Sequence, residues 1–154
     1  MSSVVWKPKK VGLRLPGWEA AFVQSIGQHF EQPFAWGVSD CLIIPGDLCQ
    51  AMTGVNVFPK HLRKYRSAAG AYRLLKQLGF DDVDEALAAV FPEVPLARAQ
   101  RGDCGVRRIE NGRFSTFIVI NGGMAMGKGE GHDRVVIPVL ELERTFAIGA
   151  RGGI

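Results

Sequence analysis

The feature that most limits how this chain can fold is a change of texture at Pro95. Before it, apolar residues recur at helical spacing, as in Trp18, Phe22 and Ile26, which follow Pro16 every four positions and share one face of a helix. After it come short β-type runs separated by glycine: Cys104 to Ile109, Phe114 to Ile120, Met124 to Met126, Arg134 to Leu140 and Thr145 to Ile148. Helices first and strands afterwards predict an α+β domain, with N-terminal helices packed on a C-terminal antiparallel sheet.

Four helices are predicted. The first ends at Gln32-Pro33. The second starts near Asp40 and runs to Met52, with Thr53-Gly54 as its stop. Pro45 cannot donate to the carbonyl of Cys41, so a kink is expected in its first turn. The third runs from Ser67 as cap to Gly79, and the fourth opens with a capping box of Asp82 and Glu85 and ends before Pro92. Asn111-Gly112 signals a two-residue hairpin. Gly122-Gly123 and Gly127-Lys128-Gly129 lack the strand-to-helix context of a phosphate cradle and read as hairpin turns.

Length and composition fit one domain, since 154 residues with 47% hydrophobic content can bury a core. Residues 1–14 carry Lys and Pro without periodicity and read as a basic arm, leaving 15–154 as the domain. The net charge of +4 is concentrated in Lys7, Lys9, Lys10, Lys60, Arg63, Lys64 and Arg66. No interleaved aromatics of a nucleic-acid module accompany these residues, so solvated faces or protein contacts are expected. Cys41, Cys49 and Cys104 form no Cys-x-x-Cys pair, and no metal cluster or cofactor motif is present. No apolar run approaches the ~20 residues that span a bilayer, and no signal-peptide core precedes the domain. Synthesis in a reducing cytoplasm is therefore expected.

The chemistry-bearing stretch is Phe34-Ala35-Trp36-Gly37-Val38-Ser39-Asp40-Cys41, which leads into Leu42-Ile43-Ile44. A thiol at a helix start sees unpaired N–H groups and the positive end of the helix dipole, which lower its pKa and can bind an oxyanion. Asp40 is expected to cap the helix. Trp18 is expected in the core and Trp36 on a groove wall. Asp103, after Gly102, is expected to fix the turn into the sheet.

The Trp-Gly-x-x-Asp-Cys core resembles the nucleophile motif of NlpC-type papain-like cell-wall peptidases. Phe34 to Gly54, Lys64-Tyr65-Arg66 and Arg101-Gly102-Asp103 look like the branch of that superfamily found among bacteriophage tail proteins. The resemblance covers roughly residues 15 to 150. It implies a papain-like fold, Cys41 as the nucleophile position, and a histidine base at the start of the second core strand. Ser115 stands at that place here, and the family's third polar residue would fall near Gly127, where nothing suitable lies.

Three histidines remain. His29 is expected at the end of the first helix in a surface or C-terminal cap role, and His61 in an exposed basic context. His132, after Gly129-Glu130-Gly131, is the candidate base, with Asp133 or Glu130 as its orienter. The resemblance thus implies a virion tail-tip component, a degenerate peptidase used as an assembly, hub or plug module, whose partners are tail hub or tip proteins. The alternative is an active murein endopeptidase or amidase that meets peptidoglycan through Cys41 and His132; a thioester or acyl-transfer enzyme is a third reading.

Overall fold

The computed structural model describes residues 6–150, with Lys60, His132 and Asp133 described by their backbone alone. Four helices precede the sheet: α1 (Trp18–Phe30), α2 (Ile43–Thr53), α3 (Ala68–Gln77) and α4 (Val83–Val90). The strands are β1 (Glu93–Val94), β2 (Cys104–Arg108), β3 (Phe114–Val119), β4 (Met124–Gly129), β5 (His132–Pro138) and β6 (Arg144–Phe146). They form one antiparallel sheet in the order β1-β6-β2-β3-β4-β5. The α+β architecture therefore matches the expectation, with a two-residue strand, β1, added at one edge.

Local chemistry sets most boundaries. Ser67 caps α3 by accepting from the Gly70 N–H, and Asp82 caps α4 by accepting from the Val83 N–H. Glu85 reaches back to the N–H of Asp81 rather than to the cap residue, which makes a capping box displaced by one position. Gly54 ends α2 in the left-handed region at φ 84°. The β2–β3 connection is longer than a two-residue hairpin. Gly112 donates to Ile109 and Ile109 donates to Arg113, with Asn111 accepting from the Arg113 N–H.

One expectation is corrected. Gly127-Lys128-Gly129 lies in β4, and the turn falls at Glu130-Gly131. A Cβ on Gly127 would come within 2.8 Å of the Phe117 ring and 2.9 Å of the Thr116 carbonyl, so this glycine makes room in the sheet rather than turning the chain. At α2, assigned as Ile43–Thr53, the N–H of Ile44 already bonds to the Asp40 carbonyl, so helical turning begins near Asp40 as expected. Pro45 lies in that first turn, and its missing N–H leaves the Cys41 carbonyl without a helical donor.

Strand β3 is buried along its whole length and separates two apolar clusters. Phe114 and Ile118 join Leu48, Met52, Leu75, Leu87 and Phe146 under the helices, while Phe117 and Val119 pack with Ala125, Ile137 and Leu142. The segment before α1 is tied into this body. Trp6 stacks on Phe58 and donates to the Val57 carbonyl. Arg14 is buried and pairs with Asp103 at 2.9 Å, and its guanidinium also reaches the Arg101 and Ile148 carbonyls. Gly102, at φ 92°, leaves the space that this guanidinium fills. Residues 1–5 of the expected arm lie outside the described residues.

Candidate active site around Cys41

Cys41 lies two residues before α2, and its surroundings follow from how the chain enters that helix. The Asp40 carboxylate, itself buried, accepts from the backbone N–H groups of Gly37, Leu42 and Ile43 and from the Tyr65 hydroxyl, at 2.7–3.1 Å. It therefore caps the helix as the sequence implies, and it takes up the N–H groups that would otherwise face a reacting oxygen. Gly37 adopts φ 82° in a place where a Cβ would meet the Tyr65 carbonyl at 2.2 Å, so the Trp36-Gly37 turn fits tightly against residues 63–66.

The carbonyl of Cys41 is the one that Pro45 cannot serve. The flanking helical bonds, Ile44 to Asp40 and Gly46 to Leu42, are formed. Between them the Thr116 hydroxyl donates to the Cys41 carbonyl at 2.9 Å, which ties the start of α2 to the central strand. The neighbouring Ser115 places its hydroxyl 4.0 Å from the Cys41 sulfur, a long and weak contact.

This environment does not activate the thiol, which corrects the expectation of a lowered pKa. Burial, followed by the negative charge of Asp40, pushes Cys41 up to about 11. The backbone of Thr116 and the hydroxyl of Ser115 pull the other way without cancelling the rise. The other free cysteines, Cys49 and Cys104, are buried in the core with their thiols also raised.

None of the described imidazoles hydrogen-bonds to Cys41. His29, expected at the surface, is buried: its Nδ1 meets the Ser39 hydroxyl at 2.7 Å and its Nε2 meets Asp47 at 2.9 Å. Asp47 is also bonded by Arg63 at 2.6 Å and Asn56 at 3.2 Å. Burial opposes ionisation of Asp47, but the hydrogen bonds from His29 and Arg63 outweigh it and hold the carboxyl below its ordinary value. Lys128, from β4, takes the capping role that the sequence offered to His29 by donating to the carbonyls of His29 and Gln32 at the end of α1. His61 is exposed in a short 3-10 turn.

The backbone of His132 opens β5 opposite Gly129, and its side chain lies outside the described residues. The turn before it does approach the Cys41 side of the molecule, since Glu130 accepts from the Trp36 indole. Trp36 packs edge-on against Phe34 and Tyr72, and the Arg113 guanidinium covers the Tyr72 ring at 4.1 Å. Trp36 is half-buried, as a groove wall would be.

Tyr65, within the Lys64-Tyr65-Arg66 stretch, and Thr116, beside Ser115, take roles that the sequence does not assign them: one bonds to Asp40 and the other to the Cys41 carbonyl. A proline four residues after Cys41 was the available signal that a hydroxyl from elsewhere had to serve that carbonyl. Arg63, counted among the surface basic residues, turns inward to Asp47 and the Phe58 carbonyl, while Lys64 and Arg66 stay exposed. Among the described residues no group of three or more His, Cys, Asp or Glu could hold a metal ion, and no helix is long and apolar enough to cross a membrane.

No curated protein matches the chain. A family model described as a domain of unknown function (DUF6950) matches residues 13–148, which takes in every helix and strand from α1 to β6, and the chain belongs to that family.

Proposed function

We propose that this chain is a catalytically silent papain-like domain of NlpC type that serves as a tail-tip or hub component of a phage-like particle. One observation carries the silent half of the reading: among the described residues the side chain beside the Cys41 sulfur is the Ser115 hydroxyl, at 4.0 Å, and no imidazole, while burial and the Asp40 charge push the thiol up to about 11. A serine hydroxyl neither takes the thiol proton near neutral pH nor returns one to a leaving amine. The helix start that would stabilise a thiolate or an oxyanion is occupied by the Asp40 carboxylate.

The fold half is supported by the attachment of the Cys41 turn to a central strand of an antiparallel sheet through Thr116, and by Ser115 standing where the resemblance expects the base. The tail assignment rests on the resemblance of Phe34 to Gly54, Lys64-Tyr65-Arg66 and Arg101-Gly102-Asp103 to phage tail proteins. The exposed Lys64 and Arg66 and the exposed Lys7, Lys9 and Lys10 then offer contact surface to hub proteins.

Particles produced with Cys41→Ala test both halves. The expected result is a normal yield of infectious particles containing the variant, with no peptide release from isolated peptidoglycan by either form. Release by the wild type that Cys41→Ala abolishes would instead establish a murein endopeptidase or amidase. Absence of the chain from purified particles would overturn the tail assignment.

A further inference from the structure

Helices α1 and α2 flank a pocket of about 420 Å³ whose lining includes no residue of the Cys41 turn, though His29 at its floor bonds to Ser39; Ala21, Gln24, Ser25 and Gln28 line it from α1 and Asp47, Gln50 and Ala51 from α2. Its rim and floor differ. Gln24, Gln28 and Gln50 are exposed, whereas Ser25 and His29 are buried.

Ser25 is the informative residue. It is 7% exposed, and its hydroxyl has no hydrogen-bond partner among the described residues. A helical serine can fold back onto the carbonyl four residues earlier, as Thr53 does with Cys49, but Ser25 does not. Buried hydroxyls left unpaired are uncommon because they lose their water without replacement. Ser25 thus presents an unused donor and acceptor to the pocket.

The charge of the pocket favours a neutral ligand. The carboxylate of Asp47 is met by Arg63 and His29, so the site has one anion that is already matched. The remaining polar groups are neutral amides and a hydroxyl, each able to donate and accept. Asp47 keeps part of its carboxylate accessible, its side chain being 31% exposed, and can accept from further hydroxyls. Ala51 supplies a small apolar surface beside these groups.

We propose that this pocket binds a neutral, hydroxyl-rich ring, one sugar unit with adjacent hydroxyls. Adjacent hydroxyls donate to Asp47 and to the carbonyls of Gln24 and Gln28 while accepting from the glutamine amides and Ser25, the Gln50 carbonyl being held by Asn56 at 2.9 Å, and the C–H face of the ring lies toward Ala51. The volume is within the ~300–1,000 Å³ typical of small-molecule sites and accommodates a ring of this kind. The inference is independent of any role for Cys41.

The test is a nitrogen–proton NMR titration of the full chain with glucose and with maltose, and with mannitol as an acyclic control. A sugar held by so few groups binds in the millimolar range. The expected result is saturable shifts in the side-chain amides of Gln24, Gln28 and Gln50 with at least one cyclic sugar and not with mannitol. Ala51→Leu fills the pocket and should abolish them. Ser25→Ala should weaken binding about tenfold while leaving the melting temperature equal or higher, because it removes an unpaired buried hydroxyl from a helix. Absence of saturable shifts with either sugar, equal shifts with mannitol, or shifts that survive Ala51→Leu in a folded variant would each overturn the proposal.

Discussion

Replacing Thr116 by valine isolates the contact that joins the Cys41 turn to the sheet. Valine keeps the branched shape of threonine but removes the hydroxyl that serves the Cys41 carbonyl at 2.9 Å. Pro45 has no N–H to substitute for it, so the carbonyl is left without a donor, at a cost of about 1–3 kcal/mol. For a domain of this size each kcal/mol corresponds to roughly 2–4 °C in melting temperature, so the drop is readily measured by thermal or urea unfolding. Pro45→Ala supplies the control. The helical bonds on either side of the missing one are formed, so an N–H at position 45 is placed to reach the Cys41 carbonyl. Pro45→Ala alone should lose about 0.4–1 kcal/mol because the unfolded chain becomes freer. That loss is common to both arms of a double-mutant cycle and cancels. Thr116→Val should therefore cost less in the Pro45→Ala background, by about 1 kcal/mol. Strict additivity of the two substitutions would refute the account of how this carbonyl is satisfied.

Three further outcomes follow from the same structure. Asp40→Asn should destabilise the protein by about 2–3 kcal/mol, since a carboxylate serving buried donors is lost, and should lower the Cys41 pKa from about 11 because a negative neighbour is removed; urea unfolding and thiol titration read the two effects separately. Lys128→Met strips the donor from the His29 and Gln32 carbonyls at the end of α1 and should cost about 1–3 kcal/mol in urea unfolding. The carboxyl of Asp47 is held below its ordinary value in the folded protein, so its contribution is complete above that value and is lost as pH falls through the lower folded one. Wild type should thus lose more stability than Asp47→Asn between pH ~5 and pH ~2, and parallel pH profiles would contradict this.

The helices and strands were legible because their signals are local. The four-residue spacing of Trp18, Phe22 and Ile26, the Ser67 and Asp82 caps and the left-handed Gly54 each act within a turn or two of chain. Features that depend on distant partners were not legible. The Cys41 carbonyl, which Pro45 leaves without a helical donor, is met by Thr116 from β3. His29 was expected at the surface because a helix end is often exposed, yet Ser39 and Asp47 bury it and Lys128 arrives from β4 to cap the helix. The glycines at 127 and 129 resemble turn residues in sequence, and the reason for Gly127 is visible only once Phe117 lies across it. Strand β1 is too short to carry a periodicity and exists through its pairing with β6.

The Cys41 motif is the sharpest example of this division. Its residues foretold a capped helix start, and Asp40 provides one, but whether such a start activates the thiol depends on what else crowds it. Burial and the Asp40 charge win here over the hydrogen bonds of Thr116 and Ser115.

The rate of Cys41 alkylation against pH, read at the Cys41 peptide by mass spectrometry in wild type and in His132→Ala, tests this most directly. The account predicts a thiol that titrates near 11 in both proteins. A pKa below the ~8.5 of a free thiol that rises on loss of His132 would contradict it and establish a working Cys-His pair.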